Sequence, residues 1–212
     1  MLAFSKQKGD GALIAIVDYG MGNLFSVEKA FAHLGAGVVV TSEARRVAAA
    51  DKVVLPGVGA FGDCMRNLKA RGLVAVLRES AAAGKPFLGI CLGLQALFEG
   101  SEESPEAEGL GIFKGTVRRI EAPGLKVPHM GWNSLTPGAP SPLFEGLQES
   151  PYVYFVHSYH AVPEDGALVT ARTEYGGALT AAVGRGAVQA VQFHPEKSGD
   201  VGLAILRNFI AL

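Results

Sequence analysis

Lys85-Pro86-Phe87-Leu88-Gly89-Ile90-Cys91-Leu92-Gly93-Leu94-Gln95 is an apolar run that passes through Gly-x-Cys-x-Gly into a helical pattern. Pro86–Ile90 reads as a buried strand, and the residues from Leu92 to Glu99 read as a helix. The two elements can meet only through a tight turn, which glycines on both sides of Cys91 permit. Such a turn lifts one side chain above the end of a sheet, as in a nucleophile elbow, here with sulfur in place of a serine oxygen. A helix start beside the sulfur favours thiolate and offers amides to a developing oxyanion. The competing reading is a small buried cysteine at a glycine-rich turn, common because free cysteine is often buried. The strand-to-helix context favours catalysis for Cys91. Cys64, in Phe61-Gly62-Asp63-Cys64-Met65, lacks that context and reads as structural.

Upstream of the elbow, buried runs alternate with helical patterns. Leu13–Val17, Gly37–Thr41 and Lys52–Leu55 read as strands. Asn23 can cap a helix with the apolar face Leu24, Val27, Phe31 and Leu34, ended by Gly35. Leu73–Ala83 is a second amphipathic helix. This order predicts an α/β fold with a mostly parallel central sheet flanked by helices on both faces. Downstream, Gly111–Arg119, Tyr152–His157, Ala167–Arg172, Ala178–Val183 and Ala187–Phe193 read as strands joined by short turns, an antiparallel extension. Asp200–Leu212 closes the chain as a helix. A loose tail over residues 1–10 and a single domain over residues 11–212 are expected, because no linker or repeat divides the chain.

A thiolate that carries an acyl group needs a base and a group to orient it. Of the five histidines, His194 in Val191-Gln192-Phe193-His194-Pro195-Glu196 fits best. It follows a strand that can lie beside the Cys91 strand. If the segment is extended, the spacing of two places Glu196 on its face as the orienting carboxylate. His33, His129, His157 and His160 have no carboxylate at that spacing. Leu55-Pro56-Gly57-Val58-Gly59-Ala60-Phe61-Gly62 follows another strand, and its glycines let backbone amides approach an oxygen. Alone that segment is a weak signal. No Lys-Ser/Thr ending makes it a phosphate loop.

The bulk properties narrow the function. The chain has 212 residues, 49% hydrophobic and 18% charged, with a formal net charge of −1. No basic stripe suggests a nucleic-acid or membrane-surface partner. Two cysteines without a CxxC pair leave no metal site and no disulfide framework to expect, and no cofactor is implied. The apolar run Leu13–Val17 is too short for a signal peptide or a membrane span, so a cytoplasmic protein is expected.

Taken together, the Cys91 elbow, the Gly-rich Pro56–Gly62 segment and the terminal His194-Pro195-Glu196 resemble the class I (triad) glutamine amidotransferases, from Leu13 onward. Val17-Asp18-Tyr19-Gly20-Met21-Gly22-Asn23-Leu24, Pro128-His129-Met130-Gly131-Trp132-Asn133, Phe155-Val156-His157-Ser158-Tyr159 and Phe193-His194-Pro195-Glu196-Lys197-Ser198 are similar to the glutaminase subunits of imidazole glycerol phosphate synthases. The resemblance implies that Cys91 attacks L-glutamine, that His194 moves its protons and that Glu196 holds His194. It implies oxyanion donors among Gly57, Val58, Gly59 and Leu92, and glutamine contacts at Gln95, Glu103, Ser158 and Tyr159. Gln95 could otherwise be a helix-surface residue, and Glu103 part of a solvated acidic run.

No acceptor-substrate domain is read in the chain, so the resemblance also implies a partner. That partner would be a (β/α)₈-barrel cyclase subunit, bound as a heterodimer and supplied with ammonia. Tyr19, Asn23, Pro128, His129, Met130, Trp132, Asn133 and Lys197 are the expected contacts. Rival readings keep the fold with another acceptor (pyridoxal phosphate, anthranilate or aminodeoxychorismate synthesis). Others make the chain a cysteine peptidase, a redox-responsive protein or a regulatory module. The Pro128–Asn133 segment disfavours the first group, and the triad disfavours the others.

Overall fold

The strand β1 (Leu13–Val17) is buried over four of its five positions, and its side chains alternate between two separate cores. Ala15 and Val17 join one hydrophobic cluster, and Ile14 and Ile16 join the other. That is the behaviour of a strand covered on both faces. The structure, a computed structural model, describes residues 12–212. The expected tail over residues 1–10 lies outside them.

In chain order β1 is followed by α1 (Leu24–His33), β2 (Gly37–Thr41), α2 (Ala44–Ala49), β3 (Lys52–Gly57), α3 (Phe61–Ala70), α4 (Val74–Ala82), β4 (Phe87–Cys91) and α5 (Leu92–Gln95). Next come β5 (Gly100–Ser101), β6 (Gly115–Arg119), β7 (His129–Ser134), β8 (Thr136–Pro137), β9 (Tyr152–His157) and β10 (Tyr159–Pro163). The chain ends with β11 (Val169–Glu174), β12 (Ala178–Arg185), β13 (Val188–Val191) and α6 (Gly199–Ala211). The main sheet has the order β2-β1-β3-β4-β13-β12-β11-β8. Its first five strands are parallel and the last three pair antiparallel, so the α/β architecture with an antiparallel extension is as the sequence implies.

One face carries α2, α3 and α4 through Val47, Met65, Leu68 and Leu77. The other carries α1 and α6 through Val27, Phe31, Ile205 and Phe209. Asn23 caps α1 by accepting from the Ser26 amide at 3.4 Å, and Gly35 follows the helix at φ +77°, as its sequence position suggests.

Two expectations change. The strands at 115–119 and 152–157 do not extend the main sheet. β6 pairs with β10 and β5, and β9 forms a two-stranded ribbon with β7. The helix expected from Leu92 to Glu99 stops at Gln95. Its last carbonyls are captured from elsewhere: Leu110 donates to Ala96, and Ile112 and Phe113 donate to Leu97, at 2.8–3.0 Å. Gly109 donates to Glu99, at a place where any Cβ would collide with the Phe98 carbonyl oxygen. Local periodicity cannot register such long-range backbone competition. α2, α3, β7 and β10 were not anticipated: α2, β7 and β10 are short, whereas α3 carries a helical apolar stripe, Phe61, Cys64, Met65 and Leu68, that the motif reading of this stretch passed over.

Candidate active site

Cys91 ends β4 and begins α5 with φ +55° and ψ −108°, a left-handed backbone that is costly for a residue with a side chain. The flanking glycines have steric causes. A Cβ on Gly93 would collide with the Leu55 carbonyl oxygen, and one on Gly89 would lie 2.8 Å from the Gly93 oxygen. The Gly-x-Cys-x-Gly spacing is therefore needed to close the turn onto β3. Because α5 is a single turn, any influence on the sulfur comes from its first amides rather than a long helix dipole. Cys91 is only 6% exposed.

The sheet brings the other segments to the same edge. Gly57 at the end of β3 is registered with Cys91, and β13 lies on the other side of β4, with Val191 against Ile90. The Gly57-Val58-Gly59 segment, the elbow and the His194 turn thus leave the carboxyl ends of three neighbouring parallel strands, the usual place for sites in such sheets. His194 Nδ1 is 2.8 Å from Glu196 Oε1, and both side chains are almost fully buried. The pairing does not come from strand alternation, because Pro195–Lys197 is a 3₁₀ turn. Among the described residues, His194 Nε2 and Glu196 Oε2 have no hydrogen-bond partner. Burial pulls the His194 pKa down, but the Cys91 sulfur and the Glu196 carboxylate overcome it and hold the imidazolium up to about 10.

Of the residues expected to hold a substrate, Gln95 and Glu103 make internal hydrogen bonds. Gln95 is buried and donates to the Tyr159 carbonyl at 3.0 Å and to Gln192 Oε1 at 3.1 Å. Both its amide protons are used, so its oxygen is what it can offer a ligand. Glu103 accepts from the Phe61 amide at 2.7 Å at the start of α3. Ser158, between β9 and β10, and Tyr159, the first residue of β10, are half-buried. Leu92 is buried, Val58 is 40% exposed, and Gly59 has φ +102°.

Two of the expected partner contacts are corrected. Tyr19 is fully buried, and a Cβ on Gly57 would collide with its hydroxyl. It packs against Gly57 and is not at a surface. Burial, with Cys64 beside it, raises its pKa far above the ordinary tyrosine value, and burial pushes the Cys64 thiol up to about 12. His129 is also buried, stacked between Phe155 at 4.6 Å and Tyr175 at 4.1 Å. The alternation of β7 explains it: His129 and Asn133 face inward, whereas Met130 and Trp132 stand out at 62% and 56% exposure. Pro128 and Lys197 are exposed, and Asn23 is half-buried.

Sequence reasoning missed Gln192, which is fully buried and donates to Cys91 Sγ at 3.6 Å. A polar residue inside the run Val191–Phe193, two positions before His194, was the available signal. It also missed Ser198, whose hydroxyl donates to the His194 carbonyl at 2.7 Å and accepts from the Tyr154 amide at 3.0 Å.

The histidines give a testable pH dependence. Burial pushes His129 down to about 4 and His157 to about 3, from an ordinary 6.5. Unfolding lets both take up protons below 6.5, so their stabilisation is complete above that value and is lost as pH falls toward 4 and 3. His194 acts oppositely: its stabilisation is complete below 6.5 and is lost as pH rises toward about 10. These three groups place the stability maximum near neutral pH. Urea midpoints measured from pH 4 to 10 should fall on both sides, and a midpoint that climbs on acidification below pH 6 would contradict the assignment.

Comparisons with known proteins agree with this geometry. Residues 15–212 match the family described as Glutamine amidotransferase class-I. The chain is 56% identical over 203 residues to "Imidazole glycerol phosphate synthase subunit HisH" of Thermosynechococcus vestitus, covering 94% of this chain and 96% of that one. It is 53% identical to the subunit of the same name from Syntrophotalea carbinolica, covering 93% and 98%. A solved structure described as a glutamine amidotransferase superposes with a TM-score of 0.70 at 24% identity, covering 92% of this chain and 98% of that one, a likeness of fold. With the elbow, the His–Glu pair and these relatives in view, the chain belongs to the class I glutamine amidotransferase family, among the HisH subunits of imidazole glycerol phosphate synthase.

Proposed function

We propose that Cys91 is the nucleophile of a glutaminase. The single observation that carries this reading is the convergence of Gly57, Cys91 and the His194–Glu196 pair at the ends of three adjacent strands. The Cys91 sulfur, its proton already held on His194 Nε2, attacks the carboxamide carbon of L-glutamine. The tetrahedral oxyanion is met by the Leu92 amide and one from the Gly57-Val58-Gly59 segment. When the C–N bond breaks, His194 returns the proton to the leaving nitrogen, giving ammonia and a γ-glutamyl thioester. Water, deprotonated by the same imidazole, then releases glutamate. Glu196 fixes the imidazole through Nδ1. Gln95, Glu103, Ser158 and Tyr159 surround the amino acid end of the substrate.

Ammonia released into water becomes ammonium and is no longer a nucleophile, so a dry path to the acceptor is needed. The relatives' shared name assigns them to imidazole glycerol phosphate synthase. In this reading the partner is a (β/α)₈-barrel cyclase subunit that forms imidazole glycerol phosphate and aminoimidazole carboxamide ribotide. Exposed Met130, Trp132 and Tyr152 on the β7–β9 ribbon form an apolar face suited to that contact, flanked by Pro128, Asn133 and Lys197, with Asn23 on the chain's β1–α1 turn. No described helix is long and apolar enough to cross a membrane. Both cysteines, Cys64 and Cys91, are free, which is in keeping with work in a reducing compartment such as the cytoplasm.

Quenching a glutamine turnover with acid and mapping peptides by mass tests the chemistry. One γ-glutamyl group is expected on the peptide holding Cys91. Its appearance on Cys64, or glutamate release with no adduct at any quench time and none on Cys91 with a glutamine-analogue electrophile, would overturn the reading.

A further inference from the structure

A continuous hydrogen-bonded chain runs from the β7–β9 ribbon to the nucleophile. His157 Nδ1 is 2.9 Å from the Tyr159 carbonyl oxygen, which can only accept, so Nδ1 carries the proton. His157 Nε2 must then accept from His129 Nδ1 at 3.1 Å, and His129 Nε2 in turn accepts from the Asn133 amide at 3.3 Å. A second arm reaches the same carbonyl from the other side. Gln95 donates to Tyr159 and to Gln192 Oε1, and Gln192 donates to Cys91 Sγ. The orientation of every member is fixed by the next.

The same ribbon also holds the base. The Tyr154 carbonyl accepts from the His194 amide at 2.9 Å, and Ser198 ties the Tyr154 amide to the His194 carbonyl. Tyr154 is registered with Trp132, whose ring meets its own edge-on at 6.2 Å. A shift of the ribbon therefore moves both reacting groups together.

We propose that Gln192 is a positioning residue that holds the Cys91 sulfur for attack and links that position, through Gln95 and the His157–His129 pair, to the β7–β9 ribbon. This rests on Cys91 being the nucleophile. Gln192 fits the task because its side chain is fully buried, its carbonyl is occupied by Gln95, and one amide hydrogen is directed at the sulfur. A donor at that place stabilises the thiolate more than the thiol.

The test uses the full chain assembled with its cyclase, and reads both steady-state glutaminase kinetics and the pH profile of Cys91 alkylation by iodoacetamide. Gln192→Leu removes the donor. It should lower kcat about ten-fold or more with little change in KM. It should also move the alkylation profile upward by about one pH unit or more, the size of one hydrogen bond to a charged group. Gln192→Met fills nearly the same space without a donor or a charge, so it should shift the profile in the same direction and covers the case of a leucine variant that fails to fold. A folded variant of either kind with wild-type kcat and an unmoved profile overturns the proposal. Because the trapped thioester on wild-type Cys91 is scored separately, its absence would instead defeat the nucleophile reading on which this one depends.

Discussion

Replacing Cys91 by alanine is expected to lower glutamine-dependent synthesis by about 10⁴-fold or more, since removing a covalent nucleophile leaves only binding and oxyanion stabilisation. The fold should survive. Alanine has the same Cβ as cysteine, so it meets the same left-handed backbone cost at φ +55°. The substitution takes away one sulfur atom, and with it the acceptor of the Gln192 hydrogen bond at 3.6 Å. Synthesis from added ammonium salt should be untouched, because the variant lacks the source of ammonia and not its acceptor. The two assays on one preparation therefore separate a dead nucleophile from a damaged complex. Unchanged glutamine-dependent synthesis would refute the assignment of Cys91.

The elbow was legible because its chemistry and its sterics coincide in one short stretch. Gly89 and Gly93 are required by close approaches within β3, β4 and α5, so the motif announces the local fold. The parallel half of the sheet was legible for a related reason: strands buried on both faces are continuous apolar runs, as in Phe87–Cys91 and, after its first residue, Lys52–Gly57. The His194–Glu196 pair was found through a spacing argument that assumed an extended segment. The side chains do meet, but through a 3₁₀ turn.

What escaped the sequence depends on contacts distant along the chain. The end of α5 is set by Gly109–Phe113, and the ribbon at 129–134 is defined by β9. Burial of Tyr19 and His129 could not be read from motifs that look like surface contacts. Each follows from a neighbour: the backbone of Gly57 over one, and the Phe155 and Tyr175 rings around the other. Gln192 carried a signal, a polar side chain within an apolar run, but its role required knowing that β13 lies beside β4.

His194 and Glu196 lie 2.8 Å apart, yet His194 Nε2 has no partner among the described residues and Cys91 is 6% exposed. The Val58–Gly59 segment, which would supply an oxyanion amide, ends in a glycine at φ +102°. Turning a peptide there is inexpensive because glycine tolerates both signs of φ. A partner that seats on the β7–β9 ribbon and orders this segment adds one correctly aimed donor, worth about 10²- to 10³-fold in rate. Ammonia made at Cys91 serves chemistry on another chain, and timing glutamate release tests this most directly. The purified chain should hydrolyse glutamine slowly, and addition of the cyclase with its nucleotide should raise the rate about 10²-fold or more. Full activity from the chain alone, unmoved by the partner, would contradict it.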